Sequence, residues 1–434
     1  MGNIIPIAQA IQAVLGQTAD QLGRDTGFIQ REVKLTGSSF VKTLVFAFQA
    51  NPAASYGELS QTAAALGVAI SPQGLEQRFS EEAAHLLRKT LEAAVAQGVE
   101  AQGQARGLLQ QFAGVYIRDG STISLPFALK EVWRGVGGSQ GESAALKLQV
   151  NLDYNSGQVH GPVLQEGRVH DHNSPYQSEL LPVGALHLAD LGFFDLERLA
   201  EDQSRGVYWI TRLKGGSALY DPQGQRLSLL EWLLSQEAGI VETTVQLGRT
   251  QRIPCRLVTV RVPQEVADQR RRRLREWARK KQRAVSERQM RLASWTLVVT
   301  NVPAAMLSAE QVLRVLGVRW QVELLFKLWK SHAKVDEWRS ENPWRILCEI
   351  YAKLLALVVT HWLLMISFAP YVDRSLAQGA KTVQKFAFSI LSALHDLSSL
   401  VDILSQLSRC LMTGCRKQKR KTHPATFQLV LGLA

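Results

Sequence analysis

The chain has 434 residues, 46% of them hydrophobic, enough to bury more than one core and pointing to two or three domains. Fifty Lys and Arg against 38 Asp and Glu give a net charge of +12, so the expected partner is a polyanion, either nucleic acid or an anionic membrane surface. Cys255, Cys348, Cys410 and Cys415 are too few and too scattered for a disulfide framework and form no zinc-type CxxC pair, so they read as free thiols of a reducing cytoplasm.

Residues 1–110 read as helical. Their start has no basic n-region or cleavage site and is not read as a signal peptide. Within 56–79, an apolar stripe of Leu59, Ala63, Ala64 and Leu66 ends at Gly67, a helix C-cap. Ser71 and Pro72 then supply an N-cap and a first-turn proline. Helix, glycine turn and second helix make a helix-turn-helix pattern, with Gln77 and Arg78 as candidate DNA contacts; a plain helical hairpin is the alternative.

From Gly114 the texture becomes β-branched and alternating. A strand is expected through Asp119, followed by strands over 144–155 and 161–171 joined by the turn 154–157. A helix is expected over 176–183, a strand ending near Asp190, a helix through Leu196 and Leu199, and a strand over 207–213. Residues 214–293 are polar and strand-like at first, then form one densely basic helix over 268–291. A buried strand over 295–302 and a long helix from about Ser308 through Ser331 follow. The order is α/β. Residues 354–369 are strongly apolar, yet shorter than a spanning helix needs and interrupted by Thr360, His361 and Ser367, so a buried core helix is expected and no membrane.

Three carboxylates carry the chemistry. Asp119 lies in the first strand, Asp190 at the end of a later strand, and Glu323 on the helix after the last strand. Oxygen-only ligands suit Mg²⁺ or Mn²⁺, and two such ions roughly 4 Å apart can serve phosphoryl transfer on a phosphodiester. On a continuous helix Arg319, Glu323 and Lys330 fall within about 40° of one another, a carboxylate flanked by cations. Lys327 adds a further cation. Val318, Val322, Leu325 and Trp329 form an adjoining apolar face. Taken singly, each acid also reads as a turn, a cap or half of a surface ion pair.

Taken together, these residues resemble the bacterial insertion-sequence transposases of the DDE class, in the group named after insertion sequence four. That group's signature is Tyr-x2-Arg-x3-Glu-x6-Lys, and this chain has Leu316-x2-Arg319-x3-Glu323-x6-Lys330. Asp190-Leu191-Gly192-Phe193 matches the second acid's setting, and Asp119 stands within VYIRDGSTISLP. The resemblance runs from about Val41 to Met365. It implies a ribonuclease-H-like catalytic core over 111–213 and 294–345, interrupted by a β-rich, basic insertion over 214–293. Helical regions flank the core, an N-terminal DNA-binding region over 1–110 and a C-terminal region over 346–434. It also implies two metal ions on the three acids, Arg319 and Lys330 on transposon-end phosphates, and double-stranded DNA as partner. The assembly expected is a homodimer on DNA, cytoplasmic and nucleoid-associated. Trp295 stands where members of the group have a tryptophan that stacks on a flipped base; a core tryptophan in an apolar strand is the alternative. The signature Tyr is Leu316 here, so a phosphate contact by its hydroxyl would be missing.

Other patterns do not hold. Gly137-Gly138-Ser139-Gln140-Gly141 fits GxSxG but lacks the strand before and helix after that a nucleophile elbow needs. His170-Asp171-His172 has no single-face ligand spacing and reads as a loop. No GxxxxGK[ST] is present, so no ATP is expected. The rivals to a transposase are a metal-dependent nuclease of the same fold and a non-catalytic DNA-binding derivative. The basic helix, Arg270 to Arg273 above all, is either a solvated face or a DNA-backbone contact.

Overall fold

The computed structural model describes residues 3–31, 34–99, 107–137, 142–237, 239–368, 373–422 and 424–432. Helices come first: α1 (Ile4–Ala13) and α2 (Ala19–Asp25) joined by a π-type turn, α3 (Gly37–Ala50), α4 (Tyr56–Ala65), α5 (Pro72–Glu76) and α6 (Glu81–Gln97). Side-chain caps fix where they begin. Thr36, Ser55, Ser71 and Ser80 each accept from a backbone N–H three residues on, and Glu58 completes a capping box on α4. Next come β1 (Val115–Leu125), β2 (Ala144–Asp153), β3 (Gln158–Glu166), β4 (Leu186–Ala189), α7 (Leu196–Ser204), β5 (Tyr208–Arg212) and β6 (Leu219–Tyr220). They are followed by α8 (Leu229–Leu234), β7 (Ile240–Leu247), β8 (Ile253–Arg261), α9 (Gln264–Lys280), α10 (Glu287–Leu292), β9 (Trp295–Thr300), α11 (Ala309–Leu316) and α12 (Trp320–Ser331). The chain ends in α13 (Pro343–Phe368), α14 (Leu376–Ala393), α15 (Leu397–Gly414) and α16 (Thr426–Leu431).

These elements form two compact units. The first comprises Met1–Ala105, Asp119–Tyr176 and Gln321–Arg420. Its core helix is α13, which packs on α3 and α6. The apolar stretch of α13 is almost wholly buried, which agrees with a core helix rather than a membrane span. Inside this apolar helix Arg345, Glu349 and Lys353, spaced four apart, are each 2% exposed. Arg345 Nε donates to Glu349 Oε1 at 2.8 Å, and its guanidinium lies 3.7 Å from the centre of the Tyr56 ring. Lys353 Nζ stands 3.6 Å from Glu349 Oε2 and donates to the Glu337 carbonyl at 2.7 Å. The unit's strands run in the order β3-β2-β1. β2 and β3 form the expected antiparallel hairpin, its turn closed by Asp153, which accepts from Asn155 N and Ser156 Oγ.

The second unit comprises Arg106–Arg118, Gln177–Trp320 and Lys421–Ala434. Its strands run β1-β4-β5-β9-β8-β7-β6, parallel from β1 through β5 and antiparallel beyond. Strand β1 contributes to both units, its first four residues to the second and the remainder to the first. The antiparallel part encloses a core around Trp209, Leu233, Leu247, Leu257 and Val299.

Several expectations need correction. Residues 178–185 are not helical; only a 3₁₀ turn, Pro175–Gln177, forms there. The reason is that the Glu179 carbonyl accepts from Arg118 Nη2 at 2.9 Å and Arg198 Nη2 at 2.8 Å, Pro182 lacks an N–H, and Gly184 takes a positive φ of 77°. The basic helix is two helices, α9 and α10, separated at Gln282, itself at φ 50°. The long helix from Ser308 is broken by a 3₁₀ turn at Gly317–Arg319. The second helix of the helix-turn-helix pattern, α5, has five residues, so Gln77 is its C-cap and Arg78 lies beyond it. Such a short helix offers little length to a major groove.

Replacing Arg345 with Met should lower the first unit's stability by about 3–5 kcal/mol, because Glu349 keeps its charge in an apolar helix core with one partner fewer. Denaturant unfolding measures this. A loss below about 1 kcal/mol would show that Arg345 does not hold the buried carboxylate.

Candidate active site

The site residues are best followed from β1. Val115, Ile117, Ile123 and Leu125 are buried, and Asp119 lies midway along the strand, half-buried. Successive side chains alternate faces, so Arg118 and Asp119 project oppositely. Arg118 is fully buried, and its pKa is pushed down to about 10, first by burial and then by the neighbouring Arg198 cation. Asp119 Oδ1 accepts from the Gly120 N–H at 2.8 Å.

Gly120 allows a close approach that sequence reasoning missed. A Cβ there would lie 3.0 Å from Gln149 Oε1 and 3.2 Å from Asp171 Oδ1. Lys147 Nζ donates to Asp171 Oδ1 at 3.0 Å and also to the Val169 carbonyl, fixing that carboxylate. Gln149 is fully buried and neither end of its amide has a partner among the described residues. The only hint in the sequence was the alternating polar pair Lys147 and Gln149 inside a strand. Asp171 belongs to a 3₁₀ turn in which the His170 and His172 rings stack at 5.5 Å, so that triplet is a loop, as expected. Residues 138–141 of the GxSxG pattern lie outside the described residues.

In the second unit Asp190 follows directly on the buried strand β4 and opens a 3₁₀ turn, Leu191–Phe193. Its Oδ1 lies 3.5 Å from Arg319 Nε. Arg319 closes the 3₁₀ turn Gly317–Arg319 that links α11 to α12. Behind β4, His187 Nδ1 stands 3.3 Å from Asp202 Oδ2, both side chains 1% exposed. Burial lowers the His187 pKa, an effect that the hydrogen bond to Asp202 opposes. Arg198 Nε is 3.1 Å from Asp202 Oδ1 without hydrogen-bond alignment. This cluster is structural support for the strand that ends at Asp190.

Glu323 lies in the first turn of α12, where the helix dipole favours a carboxylate. Val322, Leu325 and Trp329 of its expected apolar face are buried, as is Val318 in the preceding turn. Lys330, two turns beyond Glu323, donates from Nζ to the Thr122 carbonyl of β1 at 3.0 Å, and Lys327 is exposed. Within the first unit, then, α12 is fastened to the strand that carries Asp119. Trp295 is 8% exposed and packs in the core of the second unit, which favours the core reading over a ring offered to a base. Trp320, beside Arg319, is 54% exposed. Gln77 is exposed and, with Arg78, lines an open polar hollow with residues 27–31.

The acids supply only oxygen donors, which fits hard divalent cations. Among the described residues no three His, Cys, Asp or Glu side chains stand together as a ready ligand cluster.

Comparison with known proteins completes the picture. The family described as Transposase DDE domain matches residues 110–359. The chain is 26% identical to the transposase for insertion sequence element IS231F of Bacillus thuringiensis subsp. israelensis, over 98% of this chain and 94% of that protein. It is 28% identical to the transposase for IS231D of Bacillus thuringiensis subsp. finitimus, over 78% of this chain and 75% of that one. It is 24% identical to the transposase for IS1151 of Clostridium perfringens, over 79% and 76%. The family match spans more than half of the chain and covers Asp119, Asp190 and Glu323; the chain belongs to the DDE transposases, enzymes of phosphoryl transfer on DNA.

Proposed function

We propose that this transposase cleaves DNA at the ends of an insertion sequence and joins the freed strand to target DNA, with Asp119, Asp190 and Glu323 as the carboxylates that hold two Mg²⁺ or Mn²⁺ ions. The observation that carries this reading is that all three acids of the signature are partly accessible, with Asp119 bound by the Gly120 N–H, Asp190 paired with Arg319, and the Glu323 helix tied to β1 through Lys330. When bound, such ions activate the attacking oxygen and neutralise charge on the leaving oxygen. The chain's own contribution is to keep the carboxylates in place. Gly120 N–H orients Asp119, Arg319 pairs with Asp190, and the Lys330 bond to Thr122 fixes the pitch of α12 beside β1.

In this reading Arg319, Lys327 and Lys330 meet backbone phosphates, with Arg319 released from Asp190 as DNA arrives. An extruded base, if one forms, meets the exposed indole of Trp320 more readily than the buried Trp295. The helical region 1–110, Gln77 and Arg78 included, serves DNA binding; the segment 214–293 is an insertion in a ribonuclease-H-like core. Two copies of the chain act on paired DNA ends, in the cytoplasm at the nucleoid.

Glu323→Gln should reduce Mg²⁺-dependent cleavage of end DNA by about 10²–10³-fold, several kcal/mol of lost charge stabilisation, with an unchanged melting temperature. Equal cleavage by both proteins would remove Glu323 from the chemistry. Gly120→Ala should lower the cleavage rate on the order of tenfold or more, since its Cβ must displace Gln149 or Asp171 beside Asp119. A rate within twofold of wild type would mean that this close approach is idle.

A further inference from the structure

Residues 264–292 hold eleven Lys and Arg against four Asp and Glu, well over half of the chain's net charge of +12. The structure divides these cations into two kinds. Arg270 turns inward, donating to the Trp295 carbonyl and to Thr296 Oγ1, both at 3.0 Å. Arg271 donates to the Met290 carbonyl at 3.1 Å, Asp268 Oδ1 at 2.7 Å and Ser294 Oγ at 2.6 Å. These two fasten α9 to α10 and β9. By contrast Arg272, Arg273, Arg275, Arg279 and Lys280 are exposed or nearly so, and no side-chain hydrogen bond or ion pair ties them to any described residue.

The unpaired cations are ordered. At about 100° per residue Arg272, Arg275 and Arg279 fall in an arc of roughly 60°, spread over about 10 Å of helix axis. One DNA strand places a phosphate every ~3.4 Å of its own axis, so the row spans about three phosphates. A second row holds Arg273 and Lys280 with Trp277 between them, and that indole is 50% exposed. The opposite face of α9, with Ala267 and Ala278, is buried. Trp277 and the half-turned Val266 are thus the large apolar side chains that α9 shows to solvent, too little apolar face for a helix that lies in a bilayer interface.

We propose that the outer face of α9 is a DNA-backbone surface separate from the three acids: Arg272, Arg275 and Arg279 neutralise phosphates of a duplex without reading its sequence, and Trp277 packs against the sugars between flanking cations. Arg270 and Arg271, in the same run, take no part. The inference rests on the transposase reading only in taking DNA as the partner.

The test uses the full-length protein and a duplex of arbitrary sequence, with affinity followed by fluorescence anisotropy across salt. Combined Arg272→Gln, Arg275→Gln and Arg279→Gln should flatten the slope of log K against log salt by about 2–3, at about 0.9 per phosphate, with an unchanged melting temperature. Arg270→Gln should do the reverse, lowering the melting temperature and leaving the slope intact. Trp277→Ala should weaken binding severalfold at the same slope. An unchanged slope in the triple variant overturns the proposal, as does equal flattening by Arg270→Gln, or a loss seen on phosphatidylserine vesicles and not on DNA. Cleavage by Glu323→Gln reads the acid assignment and the salt slope of the triple variant reads this surface, so a failure of one and a failure of the other give different results.

Discussion

In the proposed assignment, phosphoryl transfer depends on an Asp119 carboxylate that does not drift, and strand β1 is the element that holds it. Its alternation sends Arg118 to one side and Asp119 to the other. On the Arg118 side, a fully buried guanidinium holds the Glu179 carbonyl together with Arg198, an arrangement costly to disturb because the cation has no route to water. One residue beyond Asp119, the missing side chain of Gly120 admits Gln149 and Asp171 to within contact of the backbone. Lys147 in turn anchors Asp171. The acid itself is one of the less buried residues of a strand whose neighbours are locked.

Charge in this protein therefore does two jobs. Arg118, Arg198, Arg345, Lys353, Arg270 and Arg271 are internal fasteners that hold carbonyls and carboxylates between elements. The outer arginines of α9, and Lys327 on α12, remain on the surface. A net charge read from composition sums both kinds, although only the second adds to the field that an approaching polyanion meets. The helix α13 makes the same point within the core: an apolar run long enough to raise the question of a membrane holds an Arg-Glu-Lys row whose charges pair with one another.

Much of this was legible in the sequence where local chemistry decides the outcome. The β2–β3 hairpin announced itself through its turn, α4 through its end at Gly67, α5 through Ser71 and Pro72, and the Glu323 helix through charges at fixed spacing over an apolar face. What stayed hidden depends on distant partners. Nothing near Glu179 indicates that two arginines, 61 residues earlier and 19 later, will claim its carbonyl and hold 178–185 out of a helix. The 3₁₀ turn before Trp320 is equally opaque, since Leu316 and Val318 suit a continuous helix, and the pairing of Arg319 with Asp190 involves a residue far away in sequence. Trp295 was open to two readings because a strand of apolar residues does not say which side chains reach solvent. The partition of the arginine run into fasteners and free cations follows from i, i+3 and i+4 geometry plus knowledge of where the sheet lies, and the second of these is not local information.

The central claim is that Asp119, Asp190 and Glu323 serve one pair of metal ions. Iron-directed backbone cleavage tests it without relying on turnover. With Fe²⁺ replacing Mg²⁺ on the protein bound to end DNA, and hydrogen peroxide and ascorbate added, the hydroxyl radicals formed as Fe²⁺ reduces peroxide should nick the chain in three windows, around residues 119, 190 and 323, and excess Mg²⁺ should suppress all three together. Nicks confined to one window, or scattered along the chain and indifferent to Mg²⁺, would contradict a shared metal site.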